Sequence, residues 1–183
     1  IAERARRFSF PLVIDPVMIS KHGASLIDDA AVEVLQRKFV PEAFLVTPNV
    51  QEAARLAEVE VIDVSTMEKA ASVISRLGAR NVLVKGGHID GDAVDVLWTG
   101  GQAHRLRAER VDTTHTHGTG CVLSAAITAR LAKGEDLVTA VKAAKQFITA
   151  AIQTAQAWAK ATGRSTCSLG RISNPSIHVL RLI

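Results

Sequence analysis

Short apolar runs alternate with longer segments of helical periodicity along much of the chain. Three such runs cover Pro11–Asp15, Ala43–Val46 and Asn81–Val84, and each ends in or leads into a polar residue. Runs that are apolar throughout indicate strands buried on both faces, as in a parallel sheet. Ligand sites in open α/β sheets lie at the carboxyl ends of the strands, so we expect functional residues there.

Apolar residues at helical spacing predict helices between and after these strands. Paired glycines, Gly100 and Gly101, separate two further apolar segments, 93–99 and 102–111, which is typical of a β-hairpin. The order of elements predicts an α/β fold, with a mostly parallel sheet, an antiparallel edge hairpin and helices on both faces. The predicted helices are the end of one within 1–8, then 28 or 29–39, 50–57, 66–77, one that opens near 118, and one that starts near 136.

Composition favours one compact domain and argues against several classes of protein. The 183 residues are 48% hydrophobic, enough for a real core. No apolar run of about 18 residues and no basic-then-apolar leader is present, so we predict neither a membrane span nor secretion. Two cysteines, Cys121 and Cys167, form no disulfide framework, and we therefore predict a cytoplasmic protein.

The net charge of +4 is confined to the end of the chain. From residue 160 onward the chain carries basic side chains and no acid, whereas residues 1–159 have balanced charge. Aromatic residues do not alternate with basic ones as they do in single-strand binders, so we expect no nucleic-acid partner.

The stretch from Val111 to Arg130 contains the most informative local pattern. His117 is followed by Gly118, Thr119, Gly120 and Cys121, and a long apolar helical run comes next. Unpaired N–H groups and the dipole at a helix start favour an anion such as phosphate, and they also stabilise a thiolate. Taken alone, the two glycines are as typical of a tight turn as of a phosphate site.

The wider stretch from Asp112 to Cys121 resembles the anion-hole motif of the hydroxymethylpyrimidine and phosphomethylpyrimidine kinases of thiamine biosynthesis, in the ribokinase-like superfamily. Most of that superfamily has aspartate at the position of Cys121, and the cysteine is typical of the pyrimidine kinases and a few pyridoxal kinases. The resemblance implies that Cys121 is the catalytic base and contacts the substrate. It also implies roles for the neighbouring residues: backbone donors to the transferring group at Gly118, Thr119 and Gly120, and contacts to the γ-phosphate and metal at Asp112 and Thr113.

Asp15-Pro16-Val17-Met18 resembles the strand-end motif of the same kinases. The resemblance implies that Asp15 lies near the metal and phosphates and that Val17 contacts the pyrimidine. Without the motif, an aspartate at a strand end is more often a turn former.

Thr47-Pro48-Asn49 and Glu52 match the superfamily's Asn-x-x-Glu element. Asn49 and Glu52 are three residues apart at a helix start, so both can face one metal-bound water shell, and Mg²⁺ keeps such waters. The alternative is a helix cap with a solvated glutamate. The resemblance also implies nucleotide contacts for Thr47, and for Lys85 because paired glycines follow it at the strand end; a lone lysine there is ordinarily solvated.

These motifs together imply a kinase that uses ATP and Mg²⁺. Its implied substrates are 4-amino-5-hydroxymethyl-2-methylpyrimidine and then the monophosphate. Two alternatives stay open: a pyridoxal kinase of the same superfamily, and a catalytically inactive remnant that binds nucleotide. A homodimer of the intact protein is expected only from the resemblance.

The resemblance extends from residue 1 to about 153, and both ends depart from the family. We expect residues 1–154 to be a partial kinase domain that lacks the family's N-terminal strands, and residues 155–183 to be an atypical tail. The family normally ends near Gly-Lys-Gly-His-Gly-Pro. Read from the third base of codon 155, the codons for 155–166 can spell Pro-Gly-Leu-Gly-Lys-Gly-His-Gly-Pro-Val-Asn, so we hypothesise a frameshift, which the nucleotide sequence tests.

Overall fold

The computed structural model describes residues 2–19, 24–87, 93–111, 118–162 and 180–181. The chain divides into two compact units. The first comprises residues 1–107 and 180–183, and the second comprises residues 108–179.

A six-stranded sheet in the order β5-β4-β3-β2-β1-β6 organises the first unit. Its strands are short and largely apolar, and β1 and β3 are buried along their whole length. The bounds are β1 Val13–Asp15, β2 Leu45–Val46, β3 Val82–Val84, β4 Ala93–Thr99, β5 Gln102–Ala108 and β6 Leu180–Arg181.

Strands β1, β2 and β3 run parallel, with Ile14 opposite Val46 and Val46 opposite Val82. Strand β6 is parallel to β1. Strand β4 is antiparallel to β3, with Val84 opposite Val96. The amino end of β4 therefore lies at the same edge of the sheet as the carboxyl ends of β1, β2 and β3.

Each long helix of the first unit begins at a polar cap. Asp28 accepts a hydrogen bond from Ala31 N–H, while Asn49 and Asp63 each form a capping box with the residue three positions on. The helices are α1 Ala2–Ala5, α2 Asp29–Val34, α3 Val50–Ala57 and α4 Val64–Arg76. A π-helical turn at Leu35–Phe39 and a 3₁₀ turn at Val40–Glu42 extend α2.

Side chains from the strands and from α2, α3 and α4 form one hydrophobic core. Burial of this apolar area is the main force that holds the strands and helices together. Fully buried members include Ile14, Val46, Leu56, Met67, Ile74 and Val82.

Two helices, α5 Thr119–Ala132 and α6 Leu137–Thr162, pack against each other in the second unit. Arg130 near the end of α5 forms a two-oxygen ion pair with Glu135, at 2.9 and 3.0 Å. Asp136 caps α6 by accepting a hydrogen bond from Thr139 N–H. A side-chain hydrogen bond with Thr139, together with this backbone bond, lowers the pKa of Asp136 below its ordinary value.

The predicted elements are confirmed with small shifts in their bounds. Helix α3 has the predicted bounds, whereas α4 begins two residues early because Asp63, rather than a later residue, is its cap. The second hairpin strand ends at Ala108, not at Val111, and β6 lies in a part of the chain where no strand was predicted. Within the described ranges, no helix combines the length and apolar character that crossing a membrane requires.

Candidate functional site

Asp15 is the last residue of β1, and its side chain is buried at the carboxyl edge of the sheet. Its Oδ1 accepts a hydrogen bond from Lys85 Nζ at 2.8 Å. The Thr47 hydroxyl, which is fully buried just after β2, lies 3.2 Å from the same oxygen. Residues at the carboxyl ends of three different strands therefore meet at one carboxylate.

The backbone of Lys85 is fixed by its neighbour strand. Lys85 N–H donates to the carbonyl of Pro48 at 2.8 Å, and Lys85 forms a parallel bridge with Asn49. The Lys85 side chain is only 13% exposed, so its ammonium lies against Asp15 rather than in solvent. A charge-assisted pair in such a position is stronger than a pair on the surface.

Glu52 is drawn into this edge by the first turn of α3. Its Oε2 accepts a hydrogen bond from Asn49 N–H at 2.7 Å, and Asn49 Oδ1 accepts one from Glu52 N–H at 2.9 Å. The other carboxylate oxygen, Oε1, lies 3.4 Å from Met18 N. Glu52 is 3% exposed. The structure thus confirms the helix cap, but the glutamate in it is buried and not solvated.

Burial raises the pKa of Glu52 above its ordinary value of 4.5. The positive charge of Lys85 acts in the opposite direction, and so do the backbone donors, while the negative charge of Asp15 adds to the increase. Glu52, Asp15 and Lys85 therefore lie close enough for their charges to interact. When both acids are ionised, the group carries more negative than positive charge.

Gly86 and Asp95 are functional candidates that the sequence reasoning missed. Gly86 N–H donates to Asp95 Oδ1 at 2.9 Å, and Asp95 is 6% exposed near the start of β4. A Cβ at Gly86 would lie 1.9 Å from the carbonyl oxygen of Val94, so only glycine fits between β3 and β4 here. The signal in the sequence was an aspartate inside the otherwise apolar strand Ala93–Thr99.

Gly118 starts α5 in the second unit. Its φ of +79° is in the left-handed region that favours glycine, which explains this residue at the helix cap. The first hydrogen bond of the helix runs from Val122 N–H to the carbonyl of Gly118, so the N–H groups of residues 119–121 precede the regular ladder. Cys121 lies in this first turn and is half-buried.

The structure brings four predicted site residues together in the first unit: Asp15, Thr47, Glu52 and Lys85. Asn49 caps α3 beside them, and half-buried Val17 donates its N–H to the carbonyl of Asp15. The predicted catalytic residues from Gly118 to Cys121 open α5 in the second unit. Asp112 and Thr113 lie outside the described residues.

A family model described as phosphomethylpyrimidine kinase matches residues 1–166. The chain belongs to the phosphomethylpyrimidine kinase family. The hydroxymethylpyrimidine/phosphomethylpyrimidine kinase of Streptomyces coelicolor is 45% identical over 152 residues, which are 83% of this chain and 56% of that protein. The chain thus spans about half the length of this family member.

Two solved structures share the fold. An ADP complex of Bacillus subtilis pyridoxal kinase has a TM-score of 0.74 and 41% identity, over 81% of this chain and 57% of that one. A phosphomethylpyrimidine kinase from Clostridium difficile has a TM-score of 0.71 and 38% identity, over 82% and 62%. These likenesses confirm the predicted ribokinase-like α/β fold, and the family match confirms the predicted resemblance.

Proposed function

We propose that the protein transfers the terminal phosphoryl group of ATP to the hydroxymethyl group of 4-amino-5-hydroxymethyl-2-methylpyrimidine, and then to the monophosphate. Membership of the family supports this reaction. The observation that carries the proposal is the ion pair between Lys85 and Asp15, held beside Glu52 at the carboxyl edge of the sheet. A buried cation beside two carboxylates suits a nucleotide phosphate bound together with a divalent cation.

Lys85 is the phosphate-binding group in this proposal. Its backbone is fixed by Pro48, so the ammonium has a defined direction, and it is the positive charge among the residues that meet at Asp15. A phosphate oxygen can replace Asp15 Oδ1 as the acceptor of one of the three N–H donors of the ammonium. Thr47 then keeps a hydroxyl donor at the same carboxylate.

Asp15 and Glu52 fit a hydrated Mg²⁺. Within the described residues no three His, Cys, Asp or Glu side chains converge as a metal cage, but Mg²⁺ is often held by one or two carboxylates and its own waters. The oxygen of Asn49 is bonded to Glu52 N–H and serves the helix cap. When bound, the ion supplies positive charge to the phosphates.

We assign two roles to the start of α5: it binds the transferring phosphoryl group, and it accepts the proton of the substrate hydroxyl. The N–H groups of Gly118, Thr119 and Gly120 would donate to the phosphoryl oxygens, in the field at the helix start. As the substrate oxygen bonds to phosphorus, its proton passes to the Cys121 thiolate, and ADP leaves with the electron pair of the broken bond. Asp112 and Thr113 remain proposed contacts of the γ-phosphate.

A pyridoxal kinase is the second candidate, because the structure of such an enzyme matches at 41% identity. Both substrates are flat heteroaromatic alcohols, and a cysteine base serves either. Val17, half-buried two residues after the end of β1, is the residue in the described part that we assign to the substrate ring.

An ATP-dependent phosphorylation assay on residues 1–183 tests the proposal, with the pyrimidine and pyridoxal offered separately. We expect pyrimidine phosphate from the wild type, and a loss of about 100-fold or more in Cys121→Ala, because the general base is removed. Cys167→Ala, which removes the other thiol, is the matched control and should keep the wild-type rate.

Two results of this assay would overturn the proposal. Preference for pyridoxal would support the second candidate. A folded chain that binds nucleotide and yields neither product would be the inactive remnant. A cytoplasmic location and a homodimer of the intact protein stay predictions, and sedimentation of the purified protein tests the latter.

A further inference from the structure

Asp95 holds a position that no assigned role explains. It is an acid within β4, next to the buried Val94 and Val96, and is itself only 6% exposed. Burying a carboxylate is strongly unfavourable unless hydrogen bonds compensate for the lost hydration. One compensating bond is the 2.9 Å contact from Gly86 N–H to Asp95 Oδ1.

The topology brings this acid to the functional edge. Because β4 is antiparallel to β3, the amino end of β4 lies beside the carboxyl end of β3. Asp95 is the third residue of β4, and Gly86 is the second residue after β3. Lys85, whose ammonium donates to Asp15, lies in the chain between the end of β3 and Gly86, whose N–H donates to Asp95.

The backbone around Lys85 is thereby fixed on two sides. On one side Lys85 N–H donates to Pro48 O at 2.8 Å, and on the other side Gly86 N–H donates to Asp95. Gly86 is also pressed against β4, since a Cβ there would overlap the Val94 carbonyl. Removal of the Asp95 carboxylate would delete the hydrogen bond from Gly86 N–H, which is one of the two bonds that fix the backbone around Lys85.

We propose that Asp95 is a positioning residue for the kinase reaction: it fixes the turn after β3 and so directs the Lys85 ammonium to the nucleotide phosphates. The inference rests on the proposed function, because it needs Lys85 to bind phosphate. Asp95 itself does not contact the nucleotide. Its effect on binding therefore exists only while Lys85 carries its ammonium.

A double-mutant cycle with ADP as the probe tests this relation, with affinities measured by calorimetric titration. We expect Asp95→Ala to weaken ADP binding by about tenfold, the size of one charge-assisted hydrogen bond. In the Lys85→Met background the same substitution should change the affinity by less than about twofold, because the group that Asp95 directs is gone.

Asn81→Ala is the matched control. The Asn81 side chain is 4% exposed and donates to the carbonyl of Phe44 at 2.8 Å, so its removal also deletes a buried side chain to backbone bond beside β3. This variant should lose stability as Asp95→Ala does, yet keep the ADP affinity of the wild type. Should Asp95→Ala fail to fold, Asp95→Asn keeps the shape and an acceptor oxygen, and we expect a loss of about threefold that again vanishes with Lys85→Met.

The outcomes separate this inference from the proposed function. No ADP binding by the folded wild type would overturn both. ADP binding that weakens in Lys85→Met but not in the Asp95 variants would overturn the positioning role alone. Equal losses from the Asp95 substitution in both backgrounds would do so too, because they would show that Asp95 acts through general stability.

Discussion

Gly86 determines how closely the ends of β3 and β4 approach each other. The carbonyl of Val94 occupies the place of a Cβ, and the terminal methyl of Met67 lies 2.9 Å from that point. The adjacent Gly87 is different, because a Cβ there would meet nothing within 4 Å. The close approach of β4 therefore requires glycine at position 86 but not at position 87.

Gly86→Ala should lower the free energy of unfolding by about 1–3 kcal/mol, as overpacking does where backbone must shift. Gly87→Ala should change it by less than about 0.5 kcal/mol. Urea denaturation of both variants measures the difference. Equal stability of the two would contradict the close contact between Gly86 and β4.

Glu52 should make the stability of the fold depend on pH. Its pKa is raised by burial above the unfolded value near 4.5. Between the unfolded and the folded pKa, the folded state therefore keeps a proton that the unfolded state releases. The stabilisation is complete below about pH 4.5 and is lost as the pH rises through the folded pKa.

We therefore expect the unfolding free energy of the wild type, minus that of Glu52→Gln, to decrease from pH 4.5 upward. The wild type loses stability as Glu52 ionises, whereas glutamine cannot ionise. Urea titrations at a series of pH values give this difference. Gln51→Ala changes an exposed side chain of the same helix turn and should show no such trend. A constant difference for Glu52→Gln would mean that the carboxyl is not buried in the folded protein.

Helix α3 carries a predicted site residue in its cap. Asn49 and Glu52 exchange hydrogen bonds, so the start of the helix and the direction of the glutamate are set by the same contacts. The Asp63 cap of α4 has the same form but involves none of the predicted site residues. The two caps allow the effect of capping to be separated from any effect on the site.

Asn49→Ala should cost about 1 kcal/mol of stability, and Asn49→Asp much less, because aspartate keeps the acceptor for Glu52 N–H. Asp63→Ala should also lower stability. Of the two alanine variants, only Asn49→Ala should weaken nucleotide binding, because loss of the bond from Glu52 N–H to Asn49 Oδ1 loosens the helix start that carries Glu52. Thermal denaturation measures the loss of stability, and ADP titration measures the loss of affinity. Unchanged ADP affinity in Asn49→Ala would contradict a contribution of the α3 cap and Glu52 to the nucleotide site.

Elements with local signals could be predicted, and those that depend on distant partners could not. The predicted bounds of helix α3, about Val50 to Ala57, agree with the structure because Asn49 and the apolar spacing are both visible in the sequence. The two-residue strand β6 exists through its pairing with β1, which no local pattern reports. Asp15, Thr47, Glu52 and Lys85 were found through motifs, whereas the role of Asp95 depends on the antiparallel direction of β4.

The chain spans about half the length of the Streptomyces coelicolor family member and divides into two compact units. The first unit carries the group of Asp15, Glu52 and Lys85, and the second carries Cys121 at the start of α5. In the proposed reaction, Lys85 and the carboxylates of the first unit are assigned the nucleotide phosphates and the metal, and the start of α5 in the second unit is assigned the transferring phosphoryl group and the proton. The frameshift in residues 155–183 stays a hypothesis, and codons that do not permit the alternative reading would end it.

The most direct test of the central claim is the rate of ATP-dependent pyrimidine phosphorylation by Lys85→Met, compared with Lys69→Ala, which removes an exposed lysine of α4. Circular dichroism establishes that both variants fold. We predict that Lys85→Met loses about 100-fold or more in kcat/KM, as removal of a positive charge at the nucleotide phosphates does, and that Lys69→Ala keeps the wild-type value. A folded Lys85→Met with wild-type kcat/KM would contradict the assignment of the strand-end group to the phosphates.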